Sequence, residues 1–159
     1  NTTDIYNNEL LGPFAFHLTT DRGKHPAYKV GEKINLIIRL DRDAWVYCFY
    51  HQSDRSLIQI FPNPHMASVE PRLAGQVLHT IPGKTIFPFN LILTEPPGYE
   101  ELRCFATSRN VTDELPEYLH GKNLEPLPRG TENRLLGIFS NMGNVKVSQK
   151  RLIITVVPQ

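Results

Sequence analysis

The sequence is poor in the residues that commit a chain to a particular chemistry. Its 159 residues include only two cysteines, two methionines and one tryptophan, which excludes a disulfide-dense miniprotein. Charge of neither sign prevails. Seventeen Lys and Arg stand against 16 Asp and Glu, a formal net charge of +1, so the basic excess of an obligate nucleic-acid binder is missing. No stretch approaches the ~20 uninterrupted apolar residues that cross a bilayer, and the first residues lack the charged and apolar regions of a signal peptide. The chain is therefore expected to be soluble and without a membrane span, and its opening on Asn1 rather than Met is expected of a processed or trimmed product. There are no internal repeats or low-complexity tracts, and the composition excludes disorder and a coiled coil.

What is present is core material. Hydrophobic residues make up 40% and charged residues 21%, enough for one domain over residues 1–159. Thirteen prolines exceed the usual share of about 5% and fall between apolar runs, the pattern of many short elements joined by turns. Residues 1–12 read as a loosely docked lead-in. Alternation in FAFHLTT (14–20) predicts a half-buried strand. INLIIRL (34–40) and AWVYCFYHQ (44–52), separated by DRD, predict neighbouring strands of a hairpin. The second carries Trp45, Tyr47 and Phe49 on one face and Val46, Cys48 and Tyr50 on the other, which predicts a central strand. SLIQIF (56–61), QVLHTIP (76–82), TIFPFNLIL (85–93, interrupted by Pro88) and ELRCFATS (101–108) add further strands around a Pro-rich surface loop over 62–75.

The last third changes character. TDELPEYLHG predicts a short helix limited by Pro116, and 131–142 a better one, with Thr131 as cap, Leu135, Ile138, Phe139 and Met142 at helical spacing, and Gly143 as stop. QKRLIITVVP returns to strand. The expectation is a mostly β, immunoglobulin-like antiparallel β-sandwich of 7–8 strands, with one or two short helices near the C-terminal end in an insert over 109–144.

Several residues stand in a recognisable order: Tyr28, Gly31 and Glu32, then Tyr47, then Phe61-Pro62-Asn63, then Ala74 and Gly75, Ile81 and Pro82, and finally Pro97, Gly98 and Glu100. Over roughly residues 14–108 the chain resembles the bacterial domain-of-unknown-function family 4384. The resemblance implies an immunoglobulin-like accessory domain found beside protein kinase, caspase-like or cell-envelope modules, with no activity attached to the family. The insert departs from the family pattern, so nothing housed there is inherited.

Catalytic constellations are sparse. The six histidines, 17, 25, 51, 65, 79 and 120, form no HxH or HExxH pair, and the spacing from Cys104 to His120 and Met142 does not suit a blue-copper site. Glu100-Glu101 and Asp113-Glu114 are adjacent and diverge, serines lack a G-x-S-x-G setting, and no Gly-rich phosphate loop occurs. Lys146, Lys150 and Arg151 read as a solvated strand end, and Asn110-Val111-Thr112 matches the glycosylation sequon. Cys48 and Cys104 both fall inside predicted central strands. Either they are joined, which would stabilise by ~4 kcal/mol in the chain-entropy model and imply an oxidising compartment, or they are two buried thiols acting as small hydrophobes.

The sequence thus points to no enzyme, no cofactor and no metal. The expected role is a non-catalytic protein–protein interaction module of a bacterial cell-envelope or secretion-associated protein, located in the periplasm or envelope and binding another protein or another domain of its parent chain. A sandwich offers loops or an edge strand for this. The candidate surface joins the 62–75 loop, with Asn63, His65 and Met66, to the insert, with Tyr118, Leu119, Leu124 and Leu127. Phe61-Pro62-Asn63 also suits a plain Asx-type turn, and the four insert residues also suit a lid packed over one end of the sandwich. The alternative role is a carbohydrate- or peptide-binding domain using Tyr50, Tyr99 and Tyr118 as stacking platforms.

Overall fold

In the computed structural model, residues 3–6, 15–66, 70–83 and 90–159 are described. Pro88, the expected strand interruption, lies outside them, as do Phe14 and most of the lead-in. The described strands are β1 (Thr3–Tyr6), β2 (Phe16–Thr20), β3 (Ala27–Lys29), β4 (Lys33–Ile34), β5 (Leu36–Leu40), β6 (Ala44–His51), β7 (Leu57–Phe61), β8 (Arg72–Leu73), β9 (Leu78–Ile81), β10 (Leu91–Ile92), β11 (Gly98–Thr107) and β12 (Val145–Val157). Helix α1 spans Thr131–Ser140, preceded by 3₁₀ turns at Thr112–Glu114 and Glu117–Leu119. The chain is mostly β, as the composition and alternation predict.

Twelve segments replace the expected 7–8 strands because Pro, Gly and Asn punctuate the runs; Asn35, for example, splits 33–40 into β4 and β5. The long sheet follows the order β1-β12-β11-β6-β7, with β3 beside the far end of β12 and β8 beside the start of β6. A three-stranded sheet, β2-β5-β9, and a two-stranded one, β10-β4, complete the described pairing. The expectation of purely antiparallel pairing is corrected: β1 and β3 both run parallel to β12. Within the expected lead-in, residues 3–6 form a ladder with Val145–Ser148.

The expected hairpin between 34–40 and 44–52 is also overturned. β5 pairs with β2 and β9, whereas β6 pairs with β11, β7 and β8. The chain crosses from one sheet to the other at Asp41-Arg42-Asp43, because the two strands have different burial needs. β6 is apolar on both faces and requires cover on both, while β5 exposes Arg39 on one side. The crossing is locked by Gly75, whose amide donates to Asp43 Oδ1 at 2.8 Å and where a Cβ would meet the Arg42 backbone at 2.4 Å.

One core fills the space between the sheets. Val46, Cys48, Tyr50, Leu102, Cys104, Leu152 and Ile154 of the long sheet are buried with Phe16, Leu18, Leu36, Ile38, Leu40 and Ile81 of the small one. At its centre Cys48 and Cys104 face each other in register on β6 and β11, their Cα atoms 4.1 Å apart, and form a disulfide. A second core lies on the opposite, outer face of the long sheet. There Tyr47, Phe49, Leu57, Phe105, Val145 and Val147 are buried against Val111, Leu115, Leu119, Leu135, Phe139 and Met142 of the insert. The insert is therefore a layer on the outer face of the long sheet and not the end-lid that the sequence also allowed.

Candidate interaction surface

The insert is tied down at its neck. Arg109 Nε donates to the Asn144 carbonyl at 3.0 Å and Nη2 to the Gly143 carbonyl, while the guanidinium also grips the Glu114 carboxylate. That pairing holds Glu114 below its ordinary carboxylate value and Arg109 above its own. Beneath it, the buried Tyr47 hydroxyl accepts from the Val111 amide at 3.0 Å and lies 3.1 Å from Asn110 Oδ1 and 3.2 Å from Thr112 Oγ1. The sequon asparagine thus serves as a turn residue, its Oδ1 also accepting from the Thr112 amide. Arg103 fastens the helix by donating to Gln149 Oε1 at 2.7 Å and to the Glu132 carbonyl at 3.1 Å.

Between the 3₁₀ turns and α1 the chain passes over the edge of the long sheet as a strap, residues 121–130. Gly121 has φ +73°, and a Cβ there would lie 2.5 Å from the Pro62 carbonyl oxygen, so only glycine lets the strap touch the 62–66 loop this closely. Six residues on, the Leu127 amide donates to the Leu57 carbonyl at 2.7 Å. Gly130, with φ +87°, then caps the helix in place of the expected Thr131, whose Oγ1 donates back to the Pro128 carbonyl at 2.5 Å. Leu127 and Pro128 separate two clefts of about 430 and 420 Å³. Glu117, Tyr118, Lys122, Asn123 and Pro126 line the first; Arg55, Ser56, Arg129 and Glu132 line the second.

The two sequence-predicted patches therefore meet, at Pro62 and Gly121, but several of their residues point inward. Asn63 is buried: its Nδ2 donates to the Ile60 carbonyl at 2.8 Å and its Oδ1 accepts from the His65 amide at 2.9 Å. It is the turn residue that the Asx reading anticipates. Met66 is half-buried against the inner core, and only His65 of the three is exposed. Leu119 is fully buried in the outer core and is corrected from surface to core; Leu124 is half-buried, and Tyr118 keeps 38% of its surface. Lys122, Asn123, Pro126 and Arg129 were not anticipated. Their one sequence signal is the Pro-Leu-Pro step at 126–128, which places an amide between two residues that have none.

Tyr50 is corrected too. It is 5% exposed and donates to Glu100 Oε1 at 2.7 Å, so it offers no platform. Burial, and then the Glu100 charge, push its phenol well above the ordinary value. Glu100 also accepts from the Ser53 amide at 3.0 Å, latching the 52–56 turn to β11. Tyr99 is 77% exposed on the uncovered part of the outer face. His51, His79 and His120 each place Nε2 on a backbone carbonyl, of Arg55, Ala74 and Leu115. Among the described residues, no three His, Cys, Asp or Glu side chains converge as a metal would need, and no helix is long and apolar enough to cross a membrane.

These features define a mostly β domain carrying an added layer on its outer face. The chain belongs to the family described as a domain of unknown function (DUF4384), whose model matches residues 27–110. The match ends where the insert begins, so the strap and both of its cleft walls on the insert side lie outside it. No curated protein and no solved structure matches the chain.

Proposed function

We propose that the domain is a non-catalytic interaction module, an immunoglobulin-like sandwich of a bacterial envelope or secretion-associated protein that binds another protein or a neighbouring domain through the strap. One observation carries this reading: outside the family match, the insert builds a Pro-flanked ridge with a cleft on each side and joins it to the 62–66 loop at Gly121 and Pro62. Two sheets packed across one apolar core support the sandwich assignment. The Cys48–Cys104 disulfide supports an oxidising compartment such as the periplasm.

The test is capture. A photo-crosslinking residue at position 118 is expected to trap one specific partner from the native envelope fraction, and Tyr118→Ala to lower that partner's affinity at least fivefold with an unchanged melting temperature, as befits a part-exposed site. A drop in melting temperature with capture intact would reverse the assignment. A second reading rests on Tyr118 standing beside Lys122 and Asn123 at the larger cleft, an aromatic next to polar groups as in sugar sites. Selective stabilisation by one glycan class, abolished by Tyr118→Ala, would favour it.

A further inference from the structure

Gln59 is the anomaly of the structure. It sits in β7, the last strand of the long sheet, at 1% exposure, and neither its Nε2 nor its Oε1 has a hydrogen-bond partner. No other buried side-chain nitrogen or oxygen among the described residues is left so. Its register partner is Phe49, so Gln59 shares the outer face with Phe49 and Leu57, while Ile58 and Ile60 turn to the inner core. An amide so placed weakens the free domain relative to an apolar side chain of equal size.

The strap lies over this position. It runs antiparallel to β7, Leu127 beside Leu57 and Gly121 beside Pro62, yet one backbone bond joins the two, because Pro126 and Pro128 on either side of Leu127 have no N–H to give. The Leu57 carbonyl points away from β6 to receive that bond. A regular antiparallel ladder turns the N–H and C=O of Gln59, two residues on, the same way; the register shift of this pair falls next to it, between Cys48 and Phe49, and outside the strand ladders neither group makes a backbone hydrogen bond among the described residues. The strap covers the edge as a guard without satisfying it.

From these features we infer that β7 is a peptide-binding edge. An extended segment of a partner protein displaces strap residues 121–127, pairs its backbone with Leu57 and Gln59, and supplies the polar group that the Gln59 amide lacks. This is strand addition, in which main-chain bonds give affinity and alternate side chains give selectivity. The proposal rests on the interaction-module reading and narrows its partner to a segment able to adopt a strand.

The probe is a blocked peptide of alternating Thr and Val with a Lys at each end, titrated into the full chain and followed by amide NMR, beside the same peptide N-methylated at every second residue. Saturable shifts are expected at Leu57 and Gln59, with exchange of the Leu127 amide at least tenfold faster in the complex. The N-methylated peptide is expected not to bind. Gln59→Met should bind at least tenfold more weakly while melting at the same temperature or higher. No peptide binding at millimolar concentration, equal binding by Gln59→Met, or a clear fall in its melting temperature overturns the inference. Binding with the Leu127 amide still protected also overturns it, while leaving the strap's outer surface, tested through Tyr118, as the docking site.

Discussion

Phe105 of the long sheet and Phe139 of α1 stack face to face, their ring centroids 4.2 Å apart and their planes 8° from parallel. Phe49 meets the same Phe139 ring edge-on, at 6.5 Å and 64°. One helical side chain thus anchors the insert on two central strands. Phe139→Ala is expected to cost about 3–5 kcal/mol, the usual range for emptying such a site, read from urea unfolding. If the inner core holds independently, hydrogen exchange should rise in 109–144 before it rises in β2, β5 and β9; uniform exchange throughout would contradict the layered description.

The Cys48–Cys104 link sits at zero exposure between two central strands. In the native state it should resist reductant, and thiol reagents should label neither residue until denaturant and reductant are added together. Replacing both cysteines with alanine is expected to lower stability by about 2–5 kcal/mol, measured by chemical denaturation. A loss near zero would mean that packing alone fixes the β6–β11 register.

Around Tyr28 the pH dependence has two limbs. Burial, reinforced by its 2.6 Å bond to Asp21, pushes the phenol up to about 12. A folded value above the unfolded one gives stability that is complete below pH ~10 and lost as pH rises toward 12. Tyr28→Phe should flatten that alkaline slope. At the acid end the Arg22 guanidinium, paired with Glu32 at 2.9 Å, holds that carboxyl down to about 2. Its contribution is present above the ordinary carboxylate range and lost as pH falls through about 2. Carboxyl-carbon NMR should place the Glu32 titration there, and Arg22→Ala should return it toward the ordinary value.

Local chemistry carried much of the fold. The two apolar faces of 44–51 foretold a strand covered on both sides, and the β6–β7 turn followed from Ser53-Asp54-Arg55. Partnership was not legible. DRD joins two apolar runs equally well as a hairpin or as a crossing, and the choice was made by Gly75 and the small sheet, both distant in sequence. β1 is not legible because four residues have no period to read, and the first half of β12 is not because Lys146, Lys150 and Arg151 look like a solvated end although Lys150 is 8% exposed. The candidate surface was half visible. Tyr118 and Leu119 are neighbours of similar apolar character, and only the outer face of the sheet decides that one faces water and the other Phe49's core. Gln59 gave no signal, since a glutamine in a β-rich run ordinarily faces solvent.

The family residues themselves have structural duties. Glu32 pairs with Arg22, Asn63 closes a turn, Gly75 admits the Arg42 backbone and Glu100 latches the 52–56 turn. They hold the scaffold together, and the layer added after residue 110 lies beyond the matched segment.

The parallel pairing of β1 with β12 has a mechanical side. Thr3 lies level with Val145 and Tyr6 with Ser148, while Val157 sits at the far end of the same long strand. Tension applied between Thr3 and Val157 runs along this joint, so the four registered pairs are loaded together in shear, where an unzipping pull would break them one after another. The seam formed by these two strands works as a lap joint under stretch, with its four pairs sharing the load.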